Sequence, residues 1–99
     1  MSVEVRVPTV LRKHTGGERI VQSQGDTVAA IIDQLERQFP GIKGELMDDD
    51  GQMRRFVNIY VNEEDIRYLD RLETKLADGD RLAILPAVAG GGPVPEMEA

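Results

Sequence analysis

Cysteine is absent from the 99 residues. That removes disulfides, thiolate metal sites and cysteine nucleophiles from this chain, and it fits a reducing compartment. Histidine is almost absent: His14 stands alone. A zinc site would have to join it to distant carboxylates, and no nucleophile accompanies it in a dyad. Beside Thr15-Gly16-Gly17 it reads as a solvent-exposed turn residue. Tryptophan is missing, and the aromatic set is Phe39, Phe56, Tyr60 and Tyr68. No apolar run approaches the ~18–20 residues of a membrane span. The start, MSVEVRV, lacks the charged and apolar regions of a secretory signal, so the expected location is cytoplasmic. Positive charge is in deficit, with 12 Lys and Arg against 18 Asp and Glu and a net charge of −6. Phosphate backbones demand clustered cations, so nucleic acid is excluded as a partner. A protein with a basic face fits better.

What remains is one small domain. A chain of this length buries about 60–70% of its unfolded surface, and 40% hydrophobic residues suffice for one core. Val3, Val5 and Val7 alternate with Glu4 and Arg6, the period of a half-buried strand. Gly16-Gly17 is a hairpin signal, and a second strand around Glu18–Val21 is expected to pair back on the first. Thr27 is a good N-cap, with Asp26 adding negative charge beside the positive end of the helix dipole. Val28, Ile31, Ile32, Leu35 and Phe39 then follow the spacing of one buried helix face. Pro40-Gly41 ends that helix.

Ile42 to Met53 reads as a connector with one helical turn at Ile42–Met47. Its MDDDG stretch invites a calcium reading, but D-x-[DN]-x-[DN]-G would need an Asp where Leu46 stands. A solvated acidic turn fits. A third strand carries Val57, Ile59 and Val61 on one face and Phe56, Asn58 and Tyr60 on the other. Asn62-Glu63-Glu64-Asp65 reads as a polar turn, and Ile66–Leu76 as a short fourth strand plus a helical turn. Asp78-Gly79 turns the chain into a last strand, Arg81–Pro86, with Leu82 and Ile84 inward and Ala83 and Leu85 outward. The fold class is therefore α+β, a mixed sheet packed on one main helix.

Carboxylates are plentiful but fall on apparent loops and helix backs, as charged surface does, and neither GGERIV nor AGGGPV matches a phosphate loop. The chain reads as no enzyme by itself. Phe56, Tyr60 and Leu85 should share the uncovered sheet face, where clustered apolar groups mark a docking patch for a partner protein.

The last strand runs into Ala87-Val88-Ala89 and then Gly90-Gly91-Gly92. A Cβ-free end can thread a narrow tunnel and lie flat in another enzyme's site. An α-carboxylate exposed there would be unhindered, and adenylation would give it the leaving group it lacks. Sulfur could then displace AMP and leave a thiocarboxylate.

The order of elements and the ending LADGDRLAILPAVAGG resemble the ThiS/MoaD family of sulfur-carrier proteins, whose fold is the ubiquitin-like β-grasp. PTVLRKHTGG, RFVNIYVNEEDIRYLD and ILPAVAGG look most like its CysO branch, which serves cysteine biosynthesis. The resemblance spans roughly Val3 to Gly91. It implies a protein cosubstrate of an E1-like adenylating and sulfur-transfer enzyme. It also implies a PLP-dependent cysteine synthase as sulfur acceptor and a JAMM-type zinc metallopeptidase. ATP, PLP and zinc would belong to these partners, with no cofactor bound by the chain itself.

By position, Gly91 is the residue expected to be adenylated and converted to the thiocarboxylate, with Ala87, Val88, Ala89 and Gly90 as the threading arm. The family's active form ends at Gly-Gly, whereas Gly92–Ala99 follows here. This tail is expected to be disordered, since it offers too little apolar surface to offset its ordering entropy. It is expected to be removed between Gly91 and Gly92, leaving a domain of residues 1–91. Sulfur carriage for molybdopterin, thiamin or secondary metabolites, a ubiquitin-like modifier and a plain interaction module are the alternatives.

Overall fold

The computed structural model describes residues 2–54 and 57–86. Strand β1 (Ser2–Arg6) pairs antiparallel with β2 (Ile20–Gln24) and parallel with β5 (Arg81–Pro86). Strand β3 (Val57–Val61) pairs antiparallel with β5 on one side and with the two-residue β4 (Glu64–Asp65) on the other. The sheet order is β2-β1-β5-β3-β4, so the first and last strands lie side by side near its middle. This is the expected α+β arrangement of a mixed sheet on one main helix.

That helix, α1 (Val28–Gln38), begins where Thr27 predicts. The Thr27 hydroxyl accepts from the Ala30 amide at 3.1 Å. The Val28 N–H, an orphan by helix geometry, donates to the Thr74 carbonyl at 3.1 Å. Val28, Ile31, Ile32 and Leu35 are buried. They meet the alternating inner positions of the strands, Val3, Val5, Val21, Ile59, Leu82 and Ile84. Each large aliphatic side chain buried this way contributes about 1.5–3 kcal/mol, so this seam is the main support of the domain. Gly41, at φ +103°, turns the chain into the short α2 (Ile42–Leu46). Ile42 and Leu46 complete the core from that side.

Three local expectations are corrected. Between β1 and β2 lies a 3₁₀ helix, Thr9–His14, which inserts Leu11 into the core. Gly16 and Gly17 do adopt positive φ, but the connection is long and β2 starts at Ile20. The fourth strand is Glu64–Asp65 rather than a part of Ile66–Leu76, which forms 3₁₀ turns at Ile66–Tyr68 and Arg71–Glu73. The reason is that Asn62 and Glu63 both sit at positive φ, 50° and 75°. Two such residues make the tight hairpin turn that brings Glu64 back opposite Val61.

His14 is the third correction. It is no exposed turn residue: its side chain is 18% exposed, and Nε2 lies 3.2 Å from Glu45 Oε2. The ring also stands against Gly41, where a methyl group would meet His14 at 3.3 Å.

Candidate functional site

The face of the sheet turned away from α1 is built by the strand period. Residues that alternate with the buried set project there, and register sets their neighbours. Tyr60 lies opposite Ala83, Ala83 opposite Arg6, and Arg6 opposite Ile20, forming one row across four strands. Leu85, opposite Asn58, sits one step along the same face. Tyr60 and Leu85 are thus brought together, half-buried, as the sequence suggested. Phe56, the third member of the expected patch, lies outside the described residues.

Polar groups frame the apolar row. Glu4 and Arg81 are register partners on the neighbouring row. Asn62 fastens two turns together, since its Nδ2 donates to Asp80 Oδ1 at 3.1 Å and its Oδ1 accepts from the Arg81 amide at 3.0 Å. A shallow concavity of about 720 Å³ results, open to solvent and lined by Tyr60, Ala83 and Leu85 together with Arg6 and Arg81. It combines apolar floor with charged rim, the composition of a protein-binding surface.

Asp65 was missed in the sequence, where it passed as a turn residue. It is 6% exposed, on the edge strand opposite Tyr60. Its carboxylate accepts from the Arg67 amide at 2.8 Å, from Nε at 3.1 Å and from Nη2 at 2.7 Å. The Arg67 side-chain bond holds the Asp65 carboxyl below its usual range, against the opposing effect of burial. Asp65 is also the N-cap of the Ile66–Tyr68 turn. The only sequence signal was an Asp-x-Arg spacing, too common to single out.

The acidic 48–50 turn is satisfied internally. Asp48 Oδ1 accepts from the Asp50 and Gln52 amides at 2.9 and 3.1 Å. Among the described residues, no group of three or more His, Asp or Glu side chains is placed to hold a metal ion. No described helix is long and apolar enough to cross a membrane.

The chain leaves the sheet at Pro86, the register partner of Val57. The arm Ala87, Val88, Ala89 and Gly90, the expected reactive Gly91 and the expected cleavage partner Gly92 all lie outside the described residues.

One main helix laid across a mixed five-stranded sheet defines a ubiquitin-like β-grasp domain. Residues 5–91 match the ThiS family, and the chain belongs to it. Sulfur carrier protein CysO of Mycobacterium tuberculosis (strain ATCC 25618 / H37Rv) is 54% identical over 93 residues, covering 92% of this chain and 100% of that protein. Small archaeal modifier protein 3 of Haloferax volcanii is 33% identical, with the same coverage. Among solved structures, the Amycolatopsis orientalis BexX/CysO complex contains a similar chain at a TM-score of 0.83 and 52% identity, covering 90% of this chain and 99% of that one.

Proposed function

We propose that this chain is a sulfur carrier whose working end is Gly91. The observation that carries this reading is the family match, which stops at residue 91, where the Gly-Gly pair ends and the tail begins. In the full chain the Gly91 carbonyl is held in the peptide bond to Gly92. Hydrolysis of that bond by a JAMM-type metallopeptidase would free the Gly91 carboxylate and release Gly92–Ala99.

The carboxylate oxygen then attacks the α-phosphorus of ATP in the E1-like partner, and pyrophosphate leaves. Sulfide attacks the acyl carbon, AMP leaves, and the thiocarboxylate remains. In cysteine biosynthesis a PLP-dependent synthase takes this sulfur onto activated serine. The chain's own part is to dock and to deliver. Tyr60 and Leu85, with Phe56, would bind the partner while Ala87 to Gly90 thread its channel. The lack of Cβ atoms at Gly90 and Gly91 admits the backbone to a narrow cleft. The cytoplasm is the proposed location.

The test is the intact mass of the protein recovered from its own cells. A chain ending at Gly91, with sulfur replacing one carboxylate oxygen, is expected. A mass corresponding to the unprocessed chain under every growth condition would refute the reading.

The relationship to a small archaeal modifier protein favours a second role, attachment through Gly91 to lysines of other proteins. High-mass ladders on a blot distinguish it, since a dedicated carrier runs as one small band.

A further inference from the structure

The two edges of the sheet are β2 and β4. An open edge presents unpaired backbone groups and is a template for another strand. β4 is two residues long and the Ile66–Tyr68 turn follows it at once, so it offers little. β2 is five residues long and carries no charged side chain, in a chain that is 30% charged. Charged side chains are a common defence of such an edge, and β2 has none.

Register fixes which groups point outward. The Val7 amide donates to the Arg19 carbonyl at 2.8 Å. In this antiparallel ladder Arg19, Val21 and Ser23 therefore turn their backbone groups toward β1. Ile20, Gln22 and Gln24 turn theirs away from the sheet. Among the described residues, one of these outward groups is occupied: the Gln22 carbonyl accepts from Gln38 Nε2 at 3.0 Å.

Gln38 is the last residue of α1. The orientation of its carboxamide follows from its partners. A backbone carbonyl only accepts, so the amide nitrogen must face Gln22. The oxygen then accepts from the Ser23 hydroxyl at 2.8 Å, and Ser23 is 2% exposed. The Gln22 side chain is drawn toward β1, where its Oε1 accepts from Ser2 Oγ at 3.1 Å. The Gln38 carboxamide thus lies across the middle of the edge, where an added strand would place its own N–H.

We propose that Gln38 is a latch that keeps β2 from pairing with β2 of a second copy of this chain. The occupant is indicated by the strand itself. Antiparallel pairing about a two-fold axis at Gln22 sets Gln22 against Gln22 of the second copy and Ile20 against its Gln24, so no like charges meet within the strand. Each Gln22 N–H bonds the other copy's carbonyl once both carboxamides have swung aside. Two copies of net charge −6 repel at longer range, and latch and repulsion together hold the chain monomeric. The Tyr60–Ala83–Arg6–Ile20 row ends at this edge, and a paired copy would crowd it. That bearing on docking rests on the sulfur-carrier reading; the latch itself does not.

Sedimentation velocity over a concentration series compares the full chain with its Gln38→Ala variant. The wild-type chain is expected to stay monomeric where the variant dimerises, a difference of about ten- to a hundredfold in dissociation constant, since each of two copies loses one hydrogen bond that opposed pairing. Added salt is expected to tighten the variant dimer by screening the repulsion. Hydrogen exchange of the Ile20, Gln22 and Gln24 amides is expected to slow with concentration in that variant. Adding Gln22→Lys sets two lysines face to face across the axis and is expected to restore the monomer. A Gln38→Ala chain that associates no more tightly than the wild type, with those three amides unprotected, would overturn the latch. A dimer that survives Gln22→Lys, the mark of another interface, would overturn it as well. Neither result bears on the carrier reading, which the intact mass tests.

Discussion

Asp65 of the edge strand and Arg67 of the turn that follows, two positions apart, form an ion pair with Oδ2 and Nη2 at 2.7 Å. Asp65 is buried and Arg67 is half exposed. The pair therefore owes less to Coulomb attraction, which solvent screens, than to the hydrogen bonds that satisfy a buried carboxylate. It fixes β4 beside Tyr60 and caps the following turn.

Asp65→Ala should accordingly lower stability by about 1–2 kcal/mol, the cost of losing such a cap. In urea the midpoint should fall at unchanged slope. Asp65→Asn keeps an acceptor for the Arg67 amide and should lose less. Equal losses in the two variants would assign the effect to charge rather than to capping.

Among the described residues, three carboxyls have depressed pKa values in the folded chain. Glu36 accepts from the Lys43 and Gly41 amides, Glu45 accepts from His14 and faces Lys13, and Asp65 accepts from Arg67. Depressed values mean that the unfolded chain binds more protons in the acid range, so stability rises with pH there. Their contribution is complete above the ordinary carboxylate range, about pH 5, and is lost as pH falls through the lower folded values. Denaturant midpoints should be level from about pH 7 to 5 and decline below about 4. Glu36→Gln should make that decline shallower.

Two glycines of the α1–α2 corner should respond in opposite directions. Gly41→Ala places a side chain at φ +103° and 3.3 Å from the His14 ring, and should destabilise by about 1–2 kcal/mol. Gly44 lies within α2 with open space at its Cβ position, so Gly44→Ala should stabilise by about 0.5–1 kcal/mol. Thermal unfolding of the two variants checks both signs.

Tyr60→Ala and Leu85→Ala should weaken docking to the proposed E1-like partner while leaving the fold intact, because both side chains face the open side of the sheet. Each should raise the KM for the carrier in adenylation of the processed chain by about tenfold, as hot-spot side chains do, with kcat little changed. Gly91→Ala should act on the chemical step and lower thiocarboxylate yield. A Tyr60→Ala variant with wild-type KM would remove this face from the interface.

Much of this was legible along the chain. Thr27 announced the start of α1, and Val28, Ile31, Ile32 and Leu35 announced its buried face, because helical period and capping are local properties. Leu82 and Ile84 read inward, and Ala83 and Leu85 outward, for the same reason. The Thr9–His14 helix was hidden, since so short a 3₁₀ segment shows no detectable period and Leu11 alone marks its buried side. The Asn62-Glu63 turn was hidden because a glutamate at positive φ carries none of the glycine signal that usually marks such hairpins. The cost of that conformation is offset by the β3–β4 pairing it permits.

The sequence by itself determined the helix, the alternation of the strands and the composition of the C-terminal arm, since each follows from neighbours within a few residues. The tertiary structure decided which strands meet, and therefore that Tyr60 lies opposite Ala83 and one step from Leu85. It also decided that His14 meets Glu45, 31 positions away, and that Pro86 leaves the sheet beside Val57. Those relationships arise from closing loops of many residues around one core. No local period records them, because the free energy that selects them comes from burying α1 against the whole sheet at once.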